Sequence, residues 1–187
     1  AVGKFASVPG IRTAAGAFFD IKVIGKGGHG AFPQFAIDPI TIAAEIIGAI
    51  QTIISRTTSP NDSAVLSITK VHAGDAYNVI PESAMLSGTV RTFAIDKMQE
   101  IERQMISISE GISKAHGGTA LVEFNTLFLP VLNEEEATDL ATEVCRDMVG
   151  QDNVITTGSA GTGSEDFSFM SNEICLLYTS PSPRDSL

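Results

Sequence analysis

The order in which two hydrophobic periodicities alternate is the feature that most constrains the fold of this chain. Apolar residues at every second position predict strands, and apolar residues at every third or fourth position predict helices. Between residues 17 and 128 these patterns follow one another as strand, helix, strand, strand, helix, strand. The predicted strands are 17–25, 63–71, 83–93 and 119–128, and the predicted helices are 38–55 and 96–116.

This order is typical of a split βαβ domain, an α+β fold in which a four-stranded antiparallel sheet carries two helices on one face. Asp38 followed by Pro39 predicts the start of the first helix, and Asp96 with Gln99 predicts a capping box at the second. The chain is 43% hydrophobic, which is enough for such a core. We expect this domain to occupy residues 15–129.

The sequence after residue 129 predicts less structure. Asn133 with Glu136 indicates a helix, and 153–156 a short strand, before the glycine-rich segment 158–164. The predicted apolar stripe of that helix is Ala137, Leu140, Ala141, Val144 and Met148. One helix and one strand do not make a domain, so residues 130–174 are expected to be a truncated piece of an α/β domain.

Both chain ends suggest a fragment. The sequence begins with Ala1, without a methionine. Residues 175–187 are rich in proline, serine and threonine and lack periodicity, which is typical of a disordered tail. The stretch "LLYTSPSPRD" also resembles translated sequencing-adapter read-through, and we favour this interpretation of a non-native tail.

Composition excludes several classes of partner. A net charge of −10 with no basic cluster argues against binding to nucleic acid or to an anionic membrane. The longest apolar run, Ile40–Ile54, contains Glu45 and is predicted to be too short to span a bilayer. The cysteines, Cys145 and Cys175, form no C-x-x-C motif, which fits a reducing, cytoplasmic compartment.

The segment "GKGGHGAFPQ" at 25–34 allows two interpretations. Gly25, Gly27 and Gly30 match G-x-G-x-x-G, but a dinucleotide site needs a helix that begins directly at the glycines, and seven residues intervene before Asp38. A dinucleotide-binding domain is therefore a remote alternative. In the other interpretation the glycines let the backbone turn sharply and expose His29. By spacing alone, a plain polar turn residue would be the commoner explanation.

Four motifs in order carry a family resemblance: "GKGGHGAFPQFAIDPI", "AGDAYNVIPE", "LSGTVRTF" and "GSEDFSFM". Together they resemble the dimetal amidohydrolases of peptidase family M20, which include hippurate hydrolase, auxin–amino-acid conjugate hydrolases, aminoacylase and carboxypeptidase G. The resemblance runs from about Val8 to Ile174. It implies that residues 1–14 end a preceding catalytic segment, that 15–129 form an inserted lid or dimerisation domain, and that 130–174 return to the catalytic domain.

The resemblance implies hydrolysis of the amide bond in N-acyl amino acids or related conjugates. The family uses a water bridged between two divalent metal ions, zinc or manganese. The metal ligands and the general base would lie outside this chain, whose histidines, His29, His72 and His116, form no ligand cluster. We therefore assign no metal ligand and expect the chain alone to bind no metal. The alternative is a non-catalytic homodimerisation module, which the upstream coding sequence would distinguish.

The resemblance also implies roles for individual residues in a homodimer that forms through the lid. His29 matches a lid histidine that stabilises the tetrahedral oxyanion in the opposite subunit. Asn78 matches a lid asparagine that contacts the substrate, although an asparagine that caps a loop is the ordinary alternative. Arg91 would bind the substrate carboxylate, or it lies over the sheet as a surface residue.

The glycine-rich loop after residue 158 completes the predicted site. Its backbone N–H groups could hold an anion, and two acidic residues that follow would orient the loop or a ligand. The residues concerned are Gly161, Thr162, Gly163 and Ser164, followed by Glu165 and Asp166. His72, His116 and Cys145 are interpreted as structural.

Overall fold

A computed structural model describes residues 3–173 of the chain, so the predicted non-native tail at 175–187 lies outside the described residues. Ten strands and four helices occur in this range. The strands are β1 Phe5–Ala6, β2 Gly10–Thr13, β3 Ala15–Ile24, β4 Gly28–His29, β5 Ala64–Ala73, β6 Val79–Ile80, β7 Ser83–Thr92, β8 Thr119–Phe128, β9 Val131–Asn133 and β10 Val154–Ile155. The helices are α1 Pro39–Thr52, α2 Ile95–Ala115, α3 Glu135–Val149 and α4 Phe167–Glu173.

The chain divides into two compact units. Residues 16–127 form one unit, which we call the insert unit. Residues 3–15 together with 128–173 belong to the other, which we call the outer unit. The insert unit is therefore a continuous piece of chain, whereas the outer unit is assembled from two separate pieces.

A four-stranded sheet with the order β5-β7-β3-β8 organises the insert unit. β5 and β7 are antiparallel, with Ala64 opposite Thr92 and Ala73 opposite Ala84. Both α1 and α2 pack against β7 and against each other. The buried core residues of this unit include Phe19, Ile21, Val23, Ile42, Ile46, Ile50, Leu86, Val90, Met98, Ile101 and Met105. The predicted mixture of sheets and helices is thus confirmed.

The two predicted helix caps of the insert unit differ in outcome. Asp38 caps α1 as predicted, since its Oδ1 accepts a hydrogen bond from the Ile40 N–H at 2.8 Å and Pro39 occupies the first turn. The predicted capping box at α2 is wrong, because Ala94 takes the N-cap position. Asp96 lies inside the first turn, where its carboxylate accepts the Lys97 N–H instead.

Helix α1 continues through a π-helical turn at Ile53–Thr57, so the helical segment is longer than the apolar run suggested. By length and mean hydropathy (1.2) alone, Pro39–Thr57 would suffice to cross a membrane, and the prediction that it is too short is wrong. Its distribution of side chains assigns it to the core. Ile42, Ile46 and Ile50 are fully buried, while Glu45 is exposed beside this face and lies 3.0 Å from His116 Nε2.

Two small sheets build the outer unit. β1 and β10 pair in parallel, and β2 and β9 pair antiparallel with Gly10 opposite Asn133. Glu134 caps α3, because its carboxylate accepts the N–H groups of Glu136 and Ala137. These backbone hydrogen bonds lower the pKa of Glu134 below its ordinary value. The predicted cap at Asn133 is wrong, since this residue is buried in β9 and its amide donates to the Val8 carbonyl.

Helix α3 faces the rest of its unit with a different side from the predicted one. Thr138 and Thr142 are buried, and the Thr142 hydroxyl donates to the Ser7 hydroxyl at 2.8 Å. The predicted apolar stripe instead contains three strongly exposed side chains. These are Leu140, Val144 and Met148, at 52–69% exposure. The prediction assumed that the apolar face meets the core, but no described residue of the outer unit covers these three.

Candidate functional site

The predicted lid histidine lies on a short strand pair at one end of the insert unit. In this pair, β4 and β6 are antiparallel, with Gly28 opposite Ile80 and His29 opposite Val79. The Gly30 N–H donates to the Asn78 carbonyl at 2.7 Å. The pairing therefore brings together His29 and Asn78, which are far apart in sequence and were predicted to act on one substrate.

The chain turns sharply after His29, as expected, with the Phe32 N–H donating to the His29 carbonyl across Gly30 and Ala31, and the glycine at position 25 also permits a close backbone approach. Neither Gly25 nor any other glycine of the segment has a positive φ. A Cβ added to Gly25 would lie 2.1 Å from the Ile37 carbonyl oxygen, so only glycine lets these backbones pair. Helix α1 begins at Pro39, beyond an intervening turn of 3-10 helix at Pro33–Phe35. The glycines do not meet a helix N-terminus, which argues against the dinucleotide alternative.

A local hydrogen bond selects the tautomer of the His29 side chain. The Ala31 N–H donates to His29 Nδ1 at 3.1 Å. Because Nδ1 is the acceptor, a neutral imidazole carries its proton on Nε2. The side chain is exposed, so the Nε2–H group can donate to a group outside the unit. This is the arrangement that an oxyanion donor requires.

Arg91 lies on β7 with one edge of its guanidinium fixed. Its Nη1 donates to the Thr89 hydroxyl, to the Val90 carbonyl and, at 3.5 Å, to the Ala17 carbonyl. Its Cζ lies 5.8 Å from the centre of the Phe18 ring, within cation–π range. All the hydrogen bonds that Arg91 makes within residues 3–173 start from Nη1. The Nε–Nη2 edge therefore stays available for a carboxylate.

His29 and Arg91 occupy opposite ends of the insert unit. The Gly25 N–H bonds to the Glu82 carbonyl at 2.9 Å, which puts the histidine segment next to the start of β7. β7 begins at Ser83, and Arg91 lies eight residues further along this strand. At about 3.3 Å per residue this run alone measures about 26 Å. The structure thus brings His29 and Asn78 together but does not bring Arg91 to them.

The glycine-rich loop docks on the free edge of β2 in the outer unit. Thr13 forms a parallel bridge with Gly161, whose N–H donates to the Arg12 carbonyl at 2.9 Å. The Ala14 N–H donates to the Gly163 carbonyl, also at 2.9 Å. Thr162 and Ser164 complete this predicted loop. Glu165 and Asp166 follow it, and their backbone carbonyls accept the N–H groups that begin α4.

Two residues that the sequence analysis did not select support this loop. Arg12 donates from Nη1 to the Gly158 carbonyl at 3.2 Å and from Nη2 to the Ser159 carbonyl at 3.1 Å. No local pattern marks Arg12, because its partners lie 146 and 147 residues away. The Thr13 hydroxyl, on a residue only 8% exposed, and the Ser164 hydroxyl are buried without a hydrogen-bond partner. Buried hydroxyls of this kind are suited to a polar ligand or water.

The remaining histidines have separate surroundings. His72 is exposed on β5, and His116 Nε2 lies 3.0 Å from the Glu45 carboxylate, linking the end of α2 to α1. Among residues 3–173 no group of three or more His, Cys, Asp or Glu side chains is arranged to hold a metal ion. These residues therefore do not fit a two-metal centre by themselves.

Comparison with protein families and curated proteins agrees with the resemblance. A family model described as "Peptidase dimerisation domain" matches residues 12–117. Hippurate hydrolase of Campylobacter jejuni is 36% identical, over 89% of this chain and 43% of the relative. An IAA-amino acid hydrolase of Arabidopsis thaliana is 34% identical, over 93% of this chain and 40% of the relative. N-acetyldiaminopimelate deacetylase of Brevibacillus brevis is also 34% identical, over 92% of this chain and 46% of the relative.

Solved structures extend the agreement to the fold. A structure from methicillin-resistant Staphylococcus aureus has a TM-score of 0.82 at 30% identity, covering 92% of this chain and 44% of that one. The Bacillus subtilis YXEP protein, described as a dinuclear metal binding peptidase from the M20 family, has a TM-score of 0.75 at 29% identity. The match covers 95% of this chain and 43% of the Bacillus subtilis protein. This chain spans less than half the length of these relatives. It belongs to the M20 peptidase family and contains that family's peptidase dimerisation domain.

Proposed function

We propose that the chain is the lid and part of the catalytic domain of a metal-dependent amidohydrolase that cleaves the amide bond of N-acyl amino acids or related conjugates. The insert unit is the lid, with the split βαβ architecture, and the outer unit belongs to the catalytic domain. The match of the peptidase dimerisation domain to residues 12–117 supports this assignment. The names of the relatives support the substrate class, since they describe hydrolases of hippurate, of an amino-acid conjugate and of an N-acetyl compound.

Metal ions belong to the complete enzyme in this proposal. The Bacillus subtilis relative is described as a dinuclear metal binding peptidase, and we propose two divalent ions, zinc or manganese, for an enzyme of full family length. Because residues 3–173 contain no fitting ligand group, the ligands would come from other parts of such an enzyme. The roles that follow concern only the residues of this chain.

His29 is proposed to donate a hydrogen bond to the oxyanion that forms when water adds to the amide carbonyl. The observation that carries this role is the Ala31 N–H bond to Nδ1, which leaves the proton on Nε2. A donor that is already oriented before the reaction loses no energy to reorganisation when negative charge develops. Asn78, held beside His29 by the strand pair, is proposed to contact the same substrate.

The distance between His29 and Arg91 favours a site shared by two chains. Arg91 is proposed to bind the substrate carboxylate through its free Nε–Nη2 edge. A run of about 26 Å along β7 is far longer than an N-acyl amino acid. One lid therefore cannot place both residues on one substrate. We propose that the chains pair through an edge strand of the lid and its neighbouring helix, and that His29 and Asn78 serve the site of the opposite subunit.

The loop at Gly161–Ser164 is proposed as a second polar contact for the substrate. Arg12 fixes the two carbonyls before the loop, and β2 fixes the loop backbone. The Gly161 N–H is engaged by the Arg12 carbonyl, so the N–H groups that this fixed loop can present to an anion are those of Thr162, Gly163 and Ser164. Glu165 and Asp166 are proposed to keep the loop and the start of α4 in place, with no part in proton transfer.

The decisive experiment replaces His29 in an enzyme of full family length that contains this chain. His29→Ala is expected to lower kcat by about 100-fold or more, with a much smaller effect on substrate binding, because the lost bond forms mainly in the transition state. His72→Ala is the matched control, since it also removes an exposed histidine of the insert unit, and it should retain activity. Nearly full activity in His29→Ala would disprove the oxyanion role.

Mixed dimers test the shared site. Co-expression of His29→Ala with a variant disabled in the metal centre should restore part of the activity, because one of the two composite sites in a mixed dimer is then intact. No restoration would show that His29 acts within its own chain or that the lids do not pair. If the full-length protein dimerises but neither hydrolyses N-acyl amino acids nor binds metal, the alternative of a non-catalytic dimerisation module is correct.

A further inference from the structure

Four large apolar side chains on the two segments that carry His29 and Asn78 remain strongly exposed. The group, which we call the apolar collar, shows exposures between 52% and 112%. It consists of Phe32, Phe35, Tyr77 and Val79. Val79 lies opposite His29 in the strand pair, and Tyr77 immediately precedes Asn78. Several large apolar side chains exposed on neighbouring segments commonly mark a binding surface.

The position of Phe32 relative to His29 is fixed. The Phe32 N–H donates to the His29 carbonyl at 2.8 Å, and the Phe35 N–H donates to the Phe32 carbonyl at 3.2 Å. The centres of the His29 and Phe32 rings lie 5.6 Å apart, with the rings tilted by 54°. If the His29 imidazole meets the scissile carbonyl, the Phe32 ring is close enough to reach the groups attached to that carbonyl. Phe32 is therefore the collar residue best placed to meet them.

The charge distribution around the collar indicates which part of the substrate it meets. Apart from His29, the segments 27–37 and 76–81 contain no basic residue, and they contain no Asp or Glu. The nearest charged residues in sequence are Lys26, Asp38, Asp75 and Glu82. The carboxylate of the substrate is proposed to bind Arg91 of the other chain, which accounts for the amino-acid half of the substrate. The uncharged, aromatic surroundings of His29 therefore fit the other half of the substrate, the acyl group.

We propose that the apolar collar, and Phe32 above all, forms a wall of the acyl-group pocket and selects substrates with an uncharged, apolar and preferably aromatic acyl group. This inference rests on the proposed entry of His29 into the active site. Aromatic rings can pack edge-to-face or offset against Phe32 and Tyr77, which a short acyl group cannot do. A negatively charged acyl group would lose its hydration against the collar without gaining a cationic partner from it. Once an acyl group packs on the collar, water would also be excluded from His29, which strengthens its hydrogen bond to the oxyanion.

Three substrates of a full-length enzyme that contains this chain test the collar. They carry N-benzoyl, N-acetyl and N-succinyl groups on the same amino acid. Phe32→Ala should lower kcat/KM for the benzoyl substrate by about 10-fold or more and leave the value for the acetyl substrate within about threefold. Phe32→Tyr keeps an aromatic ring and should retain the preference for the benzoyl over the acetyl substrate. Tyr77→Ala should show the same trend as Phe32→Ala to a smaller extent. The succinyl substrate should be the poorest for the unmodified enzyme.

Two comparisons keep this inference separate from the proposed function. Leu121→Ala removes an exposed apolar side chain of β8, outside the collar, and should leave the ratio of benzoyl to acetyl kcat/KM unchanged. If His29→Ala lowers kcat but Phe32→Ala and Tyr77→Ala leave that ratio unchanged, the collar inference is wrong and the proposed function stands. If His29→Ala has no effect on kcat, the proposed function fails, whatever the ratio shows.

Discussion

The helices of the two units differ in how far their large apolar side chains are buried. The insert unit encloses a core of large apolar residues between its sheet and two helices, with Phe19, Ile46 and Met105 fully or almost fully buried. The outer unit buries Ser7 together with Thr138 and Thr142 of α3, whereas Leu140, Val144 and Met148 of the same helix are exposed. The difference shows that an amphipathic pattern predicts which face of a helix can be buried, whereas the available partners decide which face is buried.

The largest expected effect on stability comes from Phe19, and its neighbour Phe18 serves as the control. Phe19→Ala removes a ring that is 1% exposed, and we expect a loss of about 3–5 kcal/mol in the stability of the insert unit. Phe18→Ala removes a ring that is 51% exposed, and should cost about 1 kcal/mol or less. Hydrogen exchange of the amides in residues 16–127 measures the loss of stability in both variants. Equal losses would mean that the two faces of the sheet are equally buried.

A smaller effect is expected from the buried hydroxyls of the outer unit. Thr142→Val keeps the shape of the side chain but removes the bonds to the Ser7 hydroxyl and, at 2.7 Å, to the Thr138 carbonyl. We expect a loss of about 1–2 kcal/mol, confined to amides of the outer unit. Thr52→Val is the matched control, because Thr52 is an exposed helical threonine that bonds to the Ala49 carbonyl. A similar loss in both variants would show that burial of Thr142 is unimportant.

The smallest effect is expected on the exposed stripe of α3. Leu140→Gln combined with Met148→Gln should change stability by about 0.5 kcal/mol per site or less, because both side chains are already largely in contact with water. The same change should reduce self-association of the isolated chain, which size-exclusion chromatography measures. A loss above about 2 kcal/mol would mean that this stripe is buried and that the contrast between the units is false.

The sequence predicted the elements that are long and locally encoded. The predicted strand at 119–128 has the observed bounds of β8, and Asp38 begins α1 as predicted. The sequence did not reveal β1, β4, β6 or the pairing of β2 with β9, because strands of two to four residues are too short for a period. These strands exist because of partners far away in the chain.

The candidate site divides in the same way. The motifs that contain His29 and Asn78 were visible in the sequence, and the strand pair explains why they belong together. The tautomer of His29 depends on one hydrogen bond from Ala31, which no residue pattern encodes. The separation of Arg91 from His29 follows from the direction of β7, and the role of Arg12 follows from contacts across almost the whole chain.

The division of the outer unit into two pieces has a consequence for the order of folding. Its contacts join distant residues, such as Ser7 with Thr142 at a separation of 135 positions. Closing so long a loop of unfolded chain costs conformational entropy before any contact compensates for it. The ends of the insert unit lie on β3 and β8, which are neighbours in its sheet. Once this unit has folded, it holds both pieces of the outer unit close together, so we expect the insert unit to fold first.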